Sequence, residues 1–328
     1  MGSLRPMRRI AVLTSGGDAP GMNAAIRAVV RGADAAGVET HGVQDGLAGL
    51  IEGRLQPLDA RAVSGILHVG GTVLGTARSQ AFRTTEGRRQ ALKHLDLADI
   101  EGLVVVGGDG SFRGADALSR EGHVNVVGVP GTIDNDLSGT DFTLGFDTAV
   151  NTALELIDRI RDTAASHGRL FFVEVMGRRS GWLALYSGLA GGATEVLVPE
   201  RPTDIARVRE RIRSSFGLGK RFCIVIVAEG DDAGGAYRLA ERVSEGLGVD
   251  YRVSALGHVQ RGGSPTMRDR VLGSVLGDAA VTALCQGADR VMVGEHRGEV
   301  IRSPLEQTWT RVDRTPESLL ALMDRLAR

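Results

Sequence analysis

The tightest constraint on this chain is a recurring unit: a short run that is apolar at nearly every position, then a glycine-rich turn, then helical spacing. Ile10-Ala11-Val12-Leu13, Gly102 to Val106, Val124 to Val129, Leu170 to Val175 and Cys223 to Ala228 are such runs. A strand with one wetted face alternates apolar and polar residues, and these do not, so both faces must be covered. Runs of this kind separated by helix-length segments call for parallel sheets flanked by helices. The expected class is α/β, with two doubly wound, mainly parallel-sheet domains and helices on both faces. The length of 328 residues also suggests about two domains.

Composition narrows the function classes. A formal net charge of -1 gives no field for nucleic acid or a membrane surface, although a local basic pocket for a small anion stays open. Many of the 46 glycines follow apolar runs, which points to tight strand-to-helix turns. Cys223 and Cys285 lie in apolar sequence without paired spacing and read as free core thiols in a reducing cytosol. No apolar run approaches membrane-spanning length. Met1 to Arg9 lacks the apolar centre of a signal peptide, so a cytoplasmic location is expected. Met7 reads as a candidate natural start, with Met1 to Pro6 a leader or scar.

The chemistry-bearing residues gather where runs end. Pro130-Gly131-Thr132-Ile133-Asp134-Asn135-Asp136 follows one run and delivers two carboxylates and a hydroxyl into a loop. Ligands of open parallel sheets bind outside the carboxyl ends of strands. One acid could serve as base on a hydroxyl while the other orients it or helps hold a metal. A plain polar turn is the competing reading, and the rest of the chain decides against it. Thr14-Ser15-Gly16-Gly17-Asp18-Ala19-Pro20-Gly21 ends the first run; Met22-Asn23 replaces the Lys-Ser/Thr of a P-loop, so this is not a Walker A loop. Gly107-Gly108-Asp109-Gly110-Ser111 is a second phosphate-type loop, with Ser111 expected to cap the next helix and Asp109 suited to Mg²⁺. Arg78 leaves a third glycine-rich stretch, Gly70 to Arg78, either to meet a phosphate or as a surface arginine. Glu229 closes a later run, and His258 and Arg261 follow Arg252 in a constellation fitted to a dianionic phosphate. Helices are expected over Thr85 to Leu95, Phe142 to Thr163, Thr203 to Phe216, Arg268 to Gln286 and Glu317 to Leu326, whereas Asp45-Gly46 and Gly49 mark a loop.

Taken together, Ser15 to Asn23, Gly107 to Ser111, Pro130 to Asp136, Met176-Gly177-Arg178 and His258 to Pro265 resemble the ATP-dependent 6-phosphofructokinase family in its bacterial single-unit form. The resemblance runs from Arg9 to about Gly294 with family-like order and spacing. It implies that Asp134 takes the proton from the 1-hydroxyl of fructose 6-phosphate as that oxygen attacks the γ-phosphorus of ATP. Thr132 would bond the transferring group, Asp136 would support the acid and metal arrangement, and Asp109 would bind Mg²⁺. Gly17, Arg78, Gly110 and Ser111 would contact ATP, and Arg78 and Arg178 would neutralise charge on the transferring group. Met176, Gly177, Glu229 and His258 would hold the sugar, and Arg169, Arg252 and Arg261 its phosphate. In the family Arg169 and Arg252 come from a neighbouring subunit, which implies a homotetramer with shared active sites.

The resemblance also sharpens the donor. Pyrophosphate-dependent relatives carry Asp where Gly110 stands and Lys where Gly131 stands, and an Asp would crowd and repel the α-phosphate of a nucleotide, so ATP is expected. Arg27, Arg31, Arg54, Arg161 and Lys220 fall at positions matching an effector site for ADP or phosphoenolpyruvate. Thr194 and Leu218 depart from that pattern, and Ser79 departs from the adenine contact. Three other readings compete: a pyrophosphate-dependent enzyme, opposed by the two glycines; a regulatory subunit without catalysis, opposed by the full set of acids and arginines; and a Rossmann dehydrogenase, opposed by the lack of a clean G-x-G-x-x-G. By the resemblance the nucleotide domain takes residues 1–145 and about 257–307, the sugar-phosphate domain about 146–256 and 308–328, with a cleft between them.

Overall fold

The computed structural model describes residues 7–310 and 316–326; the leader expected over residues 1–6 lies outside them. The strands in chain order are β1 (Arg9–Ser15), β2 (Glu39–Val43), β3 (Leu55–Leu58), β4 (Gly102–Gly107), β5 (Asn125–Pro130), β6 (Leu170–Val175), β7 (Glu195–Leu197), β8 (Cys223–Ala228), β9 (Tyr251–Ala255), β10 (Val291–His296) and β11 (Glu299–Pro304). The helices are α1 (Met22–Ala35), α2 (Gly46–Ile51), α3 (Thr85–Leu97), α4 (Asp109–Glu121), α5 (Phe146–His167), α6 (Trp182–Ala190), α7 (Ile205–Gly217), α8 (Gly235–Ser244), α9 (Met267–Cys285), α10 (Leu305–Thr310) and α11 (Glu317–Leu326). They form two compact units, Met1–Asp147 with Arg261–Asp313 and Thr148–Gln260 with Arg314–Arg328.

The first unit holds a seven-stranded sheet in the order β11-β10-β5-β4-β1-β2-β3. Its five inner strands are parallel, and the apolar runs account for them: every residue of β4 is buried, as are six of the seven in β1. The edges β3 and β11 pair antiparallel and were not expected from the sequence. They escape notice because an edge strand is half-wetted, and Leu55-Gln56-Pro57-Leu58 even carries a proline, which an edge tolerates. Leu13, Leu103, Val105, Phe112 and Leu118 lie at the heart of one core cluster.

Helices α1 and α9 approach almost backbone to backbone. A Cβ added at Gly277 would stand 2.6 Å from the Ala25 carbonyl oxygen, and one at Gly273 would stand 2.9 Å from the Gly21 carbonyl oxygen. Gly277→Val is therefore expected to destabilise the protein by about 1–3 kcal/mol through overpacking, read as a lowered thermal midpoint. An unchanged midpoint would mean that the two helices separate without cost.

Three expectations about helices are corrected. The helix α4 starts at Asp109, with Gly108 at the cap position and no side-chain cap. Ser111 N–H and Phe112 N–H both donate to the Gly108 carbonyl, so Ser111 lies inside the first turn and caps nothing. The long helix α5 starts at Phe146 instead of Phe142, because Leu144 N–H is bonded to the Pro130 carbonyl and Gly145 sits at φ 93°. Residues 46–51 form α2 where a loop was expected. Gly49 is needed there because a Cβ would lie 1.7 Å from the Gln44 carbonyl oxygen, while Leu47 and Leu50 bury into the core. Cys223 is buried as expected, whereas Cys285 is exposed on α9.

The second unit holds the all-parallel sheet β7-β8-β6-β9, with Leu170, Phe172, Val225, Val227 and Leu239 in its core. The amphipathic helix read at the C-terminus is α11, with the bounds expected. Arg201, Arg207 and Arg211 all reach Asp324 of α11, at 3.4, 3.4 and 3.0 Å. Burial alone would raise the Asp324 carboxyl, but Arg211, then Arg207 and Arg201, hold it below the usual aspartate value. Glu195, buried beside Arg207 and Arg211, is pushed up by desolvation despite them. Among the described residues no helix is long and apolar enough to cross a membrane.

Candidate active site

In the first unit three strands end level with one another. Ser15 of β1 pairs with Gly107 of β4, and Gly107 pairs with Pro130 of β5. The chain leaves β1 toward β2 on one side, and β4 and β5 lie on the other, so the β1 and β4 ends flank a topological switch point. The three loops that follow touch. Gly131 N–H donates to the Gly107 carbonyl at 2.9 Å, and a Cβ on Gly16 would reach Ser111 Oγ at 3.4 Å. A Cβ on Gly108 would lie 3.7 Å from Thr132 Cβ. Gly17, Asp109, Gly110, Ser111, Thr132 and Asp134 are thus brought to one edge of one sheet.

Within that edge the residues differ in exposure. Asp134 is buried, and its N–H donates to Thr132 Oγ1 at 3.2 Å, a short turn that places hydroxyl and carboxylate on the same loop. Asp136 is half-buried two residues on. Asp109 opens α4 with its side chain 37% exposed, beside Arg113 at 4.0 Å. Among the described residues no group of three or more His, Cys, Asp or Glu could hold a metal by itself. Asp109 together with ligand oxygens fits Mg²⁺, which keeps few protein ligands when it accompanies phosphates. Gly110 is exposed and a Cβ there would meet nothing within 4 Å. Gly131 is different: a Cβ would lie 3.0 Å from both the Met22 methyl and Val106 Cγ1. Packing therefore accounts for Gly131, whereas the surrounding protein makes no such demand at Gly110.

The glycine-rich stretch before Arg78 is strapped over the β1 loop. Thr76 Oγ1 donates to the Gly16 carbonyl at 2.9 Å, and Thr14 Oγ1 donates to that of Gly75 at 2.7 Å. Buried Asn23 donates to the Val69 carbonyl at 2.9 Å and accepts from Val73 N–H at 2.8 Å. Arg78 itself is exposed at the end of that stretch. Asn23 stands in the motif after β1 with no role read for it from sequence; its signal is an amide on the buried face of α1. Asp269 was also missed. Buried in the first turn of α9, three residues after the Thr266 cap, its Oδ1 accepts Gly145 N–H at 2.9 Å. The spacing T-x-x-D is a helix-start signal.

Arg261 lands elsewhere than its neighbours in sequence suggest. Its Nη1 donates to the Asp18 carbonyl at 3.1 Å and lies 2.4 Å from where a Gly17 Cβ would be, so it belongs with the β1 loop. In the second unit Met176, Glu229 and His258 follow the carboxyl ends of β6, β8 and β9. Arg178, at φ 54°, donates its N–H to Glu229 Oε1 at 2.7 Å. Gly177, at φ 138°, leaves room for the Ser180 carbonyl, which would stand 2.3 Å from a Cβ. Arg169 precedes β6, and Arg252 is the second residue of β9, both at the amino ends. About 20 Å of strand separates Arg169 from Met176. The sequence gathering of Arg252 with His258 is therefore corrected within this chain, because the extended β9 lies between them.

The residues matched to an effector site fall on both units. Arg27 and Arg31 are on α1, while Arg54 is engaged by Asp45 and Glu52. Arg161, on α5, lies over the Phe222 ring at 5.9 Å, and Lys220 precedes β8. Thr194 is buried with its N–H donated to the Ile224 carbonyl, and Leu218 is exposed.

Comparison with known proteins shows the family. A family model described as Phosphofructokinase matches residues 9–284. The chain is 59% identical over 321 residues to the ATP-dependent 6-phosphofructokinase 1 of Thermus thermophilus, covering 98% of this chain and all of that one. It is 50% identical over 305 residues to the ATP-dependent 6-phosphofructokinase of Halalkalibacterium halodurans, covering 93% and 95%. Among solved structures, the phosphofructokinase of Saccharomyces cerevisiae superposes with a TM-score of 0.88 at 38% identity; the match covers 98% of this chain and 47% of the yeast chain, so this chain spans about half of it. A pyrophosphate-dependent phosphofructokinase from Marinobacter aquaeolei shares the fold, with a TM-score of 0.84 at 22% identity over 98% of this chain and 92% of its own. With a family model matching most of the chain and nearly full-length relatives in sequence, this chain is a kinase that belongs to the phosphofructokinase family.

Proposed function

We propose that the chain transfers the γ-phosphoryl group of ATP to the 1-hydroxyl of fructose 6-phosphate, giving fructose 1,6-bisphosphate and ADP. The observation that carries this reading is the level alignment of Ser15, Gly107 and Pro130, which sets Gly17, Asp109, Gly110, Thr132 and Asp134 side by side. The relatives named as ATP-dependent enzymes supply the donor and the sugar.

Phosphoryl transfer asks little covalent chemistry of a protein and much positioning and charge stabilisation. Asp134 accepts the proton of the 1-hydroxyl as that oxygen attacks phosphorus. Thr132 Oγ1, already oriented by Asp134 N–H, bonds the transferring group, and Asp136 supports the acid. Backbone groups at Gly17 and Gly110, with the N-terminal turn of α4 around Ser111, cradle the donor phosphates. Asp109 would hold Mg²⁺, which would supply positive charge against the transferring group. Arg78 and Arg178 add positive charge, and Met176, Gly177, Glu229 and His258 hold the sugar. Arg261 supplies one charge to the sugar phosphate. Arg169 and Arg252, at the opposite end of their sheet from Glu229, serve the site of a neighbouring copy, in keeping with the homotetramer that the family resemblance implies.

Product analysis tests the reading. Incubation with fructose 6-phosphate, ATP and Mg²⁺, followed by phosphorus NMR, is expected to show a new phosphate on carbon 1 and stoichiometric ADP. Release of inorganic phosphate without a sugar bisphosphate would refute the proposal.

A further inference from the structure

The loop that carries Thr132 and Asp134 is gripped by the segment that follows it. Thr143 Oγ1 donates to the Thr132 carbonyl at 2.5 Å, and Thr143 N–H donates to Asn135 Oδ1 at 2.8 Å. Asn135 Nδ2 in turn donates to the Asp141 carbonyl at 3.2 Å. Two backbone bonds run alongside, Thr132 N–H to the Leu144 carbonyl at 3.1 Å and Leu144 N–H to that of Pro130 at 2.8 Å. Thr143 is fully buried and Asn135 nearly so. Asn135 sits at φ 50°, a left-handed conformation that Asn tolerates better than most side chains.

The same segment is fastened from outside by the turn between β10 and β11. Asp141 Oδ1 meets His296 Nδ1 at 2.8 Å, Asp141 Oδ2 accepts Arg297 N–H at 2.7 Å, and Asp141 N–H donates to the Glu295 carbonyl at 2.7 Å. All of these residues belong to the first unit. The chain of contacts therefore runs from an exposed hairpin turn through Asp141, Asn135 and Thr143 to Thr132, and from Thr132 to the Asp134 backbone.

We propose that Thr143 and Asn135 are positioning residues for phosphoryl transfer, fixing the Thr132–Asp134 loop, and that Asp141 anchors them to the β10–β11 turn. The inference rests on the reading of Asp134 as the base. A base on a loop must be held to a fraction of an ångström, and a misplacement of about 1 Å costs on the order of 10²-fold in rate. Backbone bonds alone fix the loop's path; the Thr143 hydroxyl fixes the direction of the Thr132 carbonyl, and the Asn135 amide ties Thr143 N–H to the Asp141 carbonyl. Neither residue touches substrate in this account, so their loss should appear in the chemical step and not in binding.

The test compares Thr143→Val, which keeps the shape and removes the hydroxyl, with Thr143→Ser, which keeps the hydroxyl. Thr143→Val is expected to lower kcat per folded molecule by about 10- to 100-fold, with KM for both substrates within about threefold, and Thr143→Ser to recover most of the rate. A Thr143→Val enzyme with wild-type kcat but a lower thermal midpoint would overturn the proposal, because the hydroxyl would then be merely structural. Should that variant fail to fold, Asp141→Asn decides: a kcat loss of about 3- to 10-fold at unchanged KM supports the anchor, and an unchanged kcat refutes it. Parallel assay of Asp134→Asn separates the two levels. An active Asp134→Asn enzyme would sink the base and this inference together, whereas an inactive one beside a fully active Thr143→Val would sink the inference alone.

Discussion

Replacement of Asp134 by Asn is expected to lower kcat by about 10²- to 10⁴-fold, the usual contribution of a positioned general base. Asn has the same shape, so the turn in which residue 134 donates its N–H to Thr132 Oγ1 survives. Both substrates should still bind, leaving KM for each close to the wild-type value, since what is lost is an interaction made during transfer. Asp134 is buried, so no solvent carboxylate can take its place. A variant within about tenfold of the wild-type rate would move the proton-accepting role to another residue, with half-buried Asp136 the next to examine.

The second large effect is expected at Gly110. A Cβ there would meet no protein atom within 4 Å, so Gly110→Asp should fold with a thermal midpoint close to that of the wild type. Placing a carboxylate against the nucleotide phosphates sets like charges together at a cost of several kcal/mol, so kcat/KM for ATP should fall by on the order of 10²- to 10³-fold. Unchanged ATP kinetics would refute the steric and electrostatic account of donor choice. Gly131 does not lend itself to the same experiment. Its place is already taken up by the Met22 methyl and Val106, so a lysine there would disturb the strand end as well as any ligand.

The inner strands were legible because a parallel strand buried on both faces leaves a continuous apolar run, as in Leu103 to Val106. The edges β3 and β11 were not, since half-wetted strands with polar residues carry no such signature. Helix starts failed where the chain makes bonds that no local spacing encodes: Leu144 is held by Pro130, far back along the chain, and α4 takes its first turn from the Gly108 carbonyl. The candidate site divides in the same way. Gly17, Asp109, Thr132 and Asp134 were found together because each follows the end of an apolar strand, and the sheet aligns those ends. Arg252 and His258 looked adjacent along the chain, but an extended strand holds them apart. Asn23, Thr143 and Asp269 act through partners distant in sequence; a polar residue among buried neighbours was the trace that Asn23 and Thr143 left, and Asp269 left its spacing from the Thr266 cap.

The most direct test of the central claim is the initial rate of fructose 6-phosphate turnover with Mg²⁺, measured with ATP and with pyrophosphate in parallel. The account predicts rapid formation of fructose 1,6-bisphosphate with ATP and essentially none with pyrophosphate. Turnover with pyrophosphate in place of ATP would contradict the reading of the open space at Gly110, and turnover with neither donor would contradict the proposed activity itself.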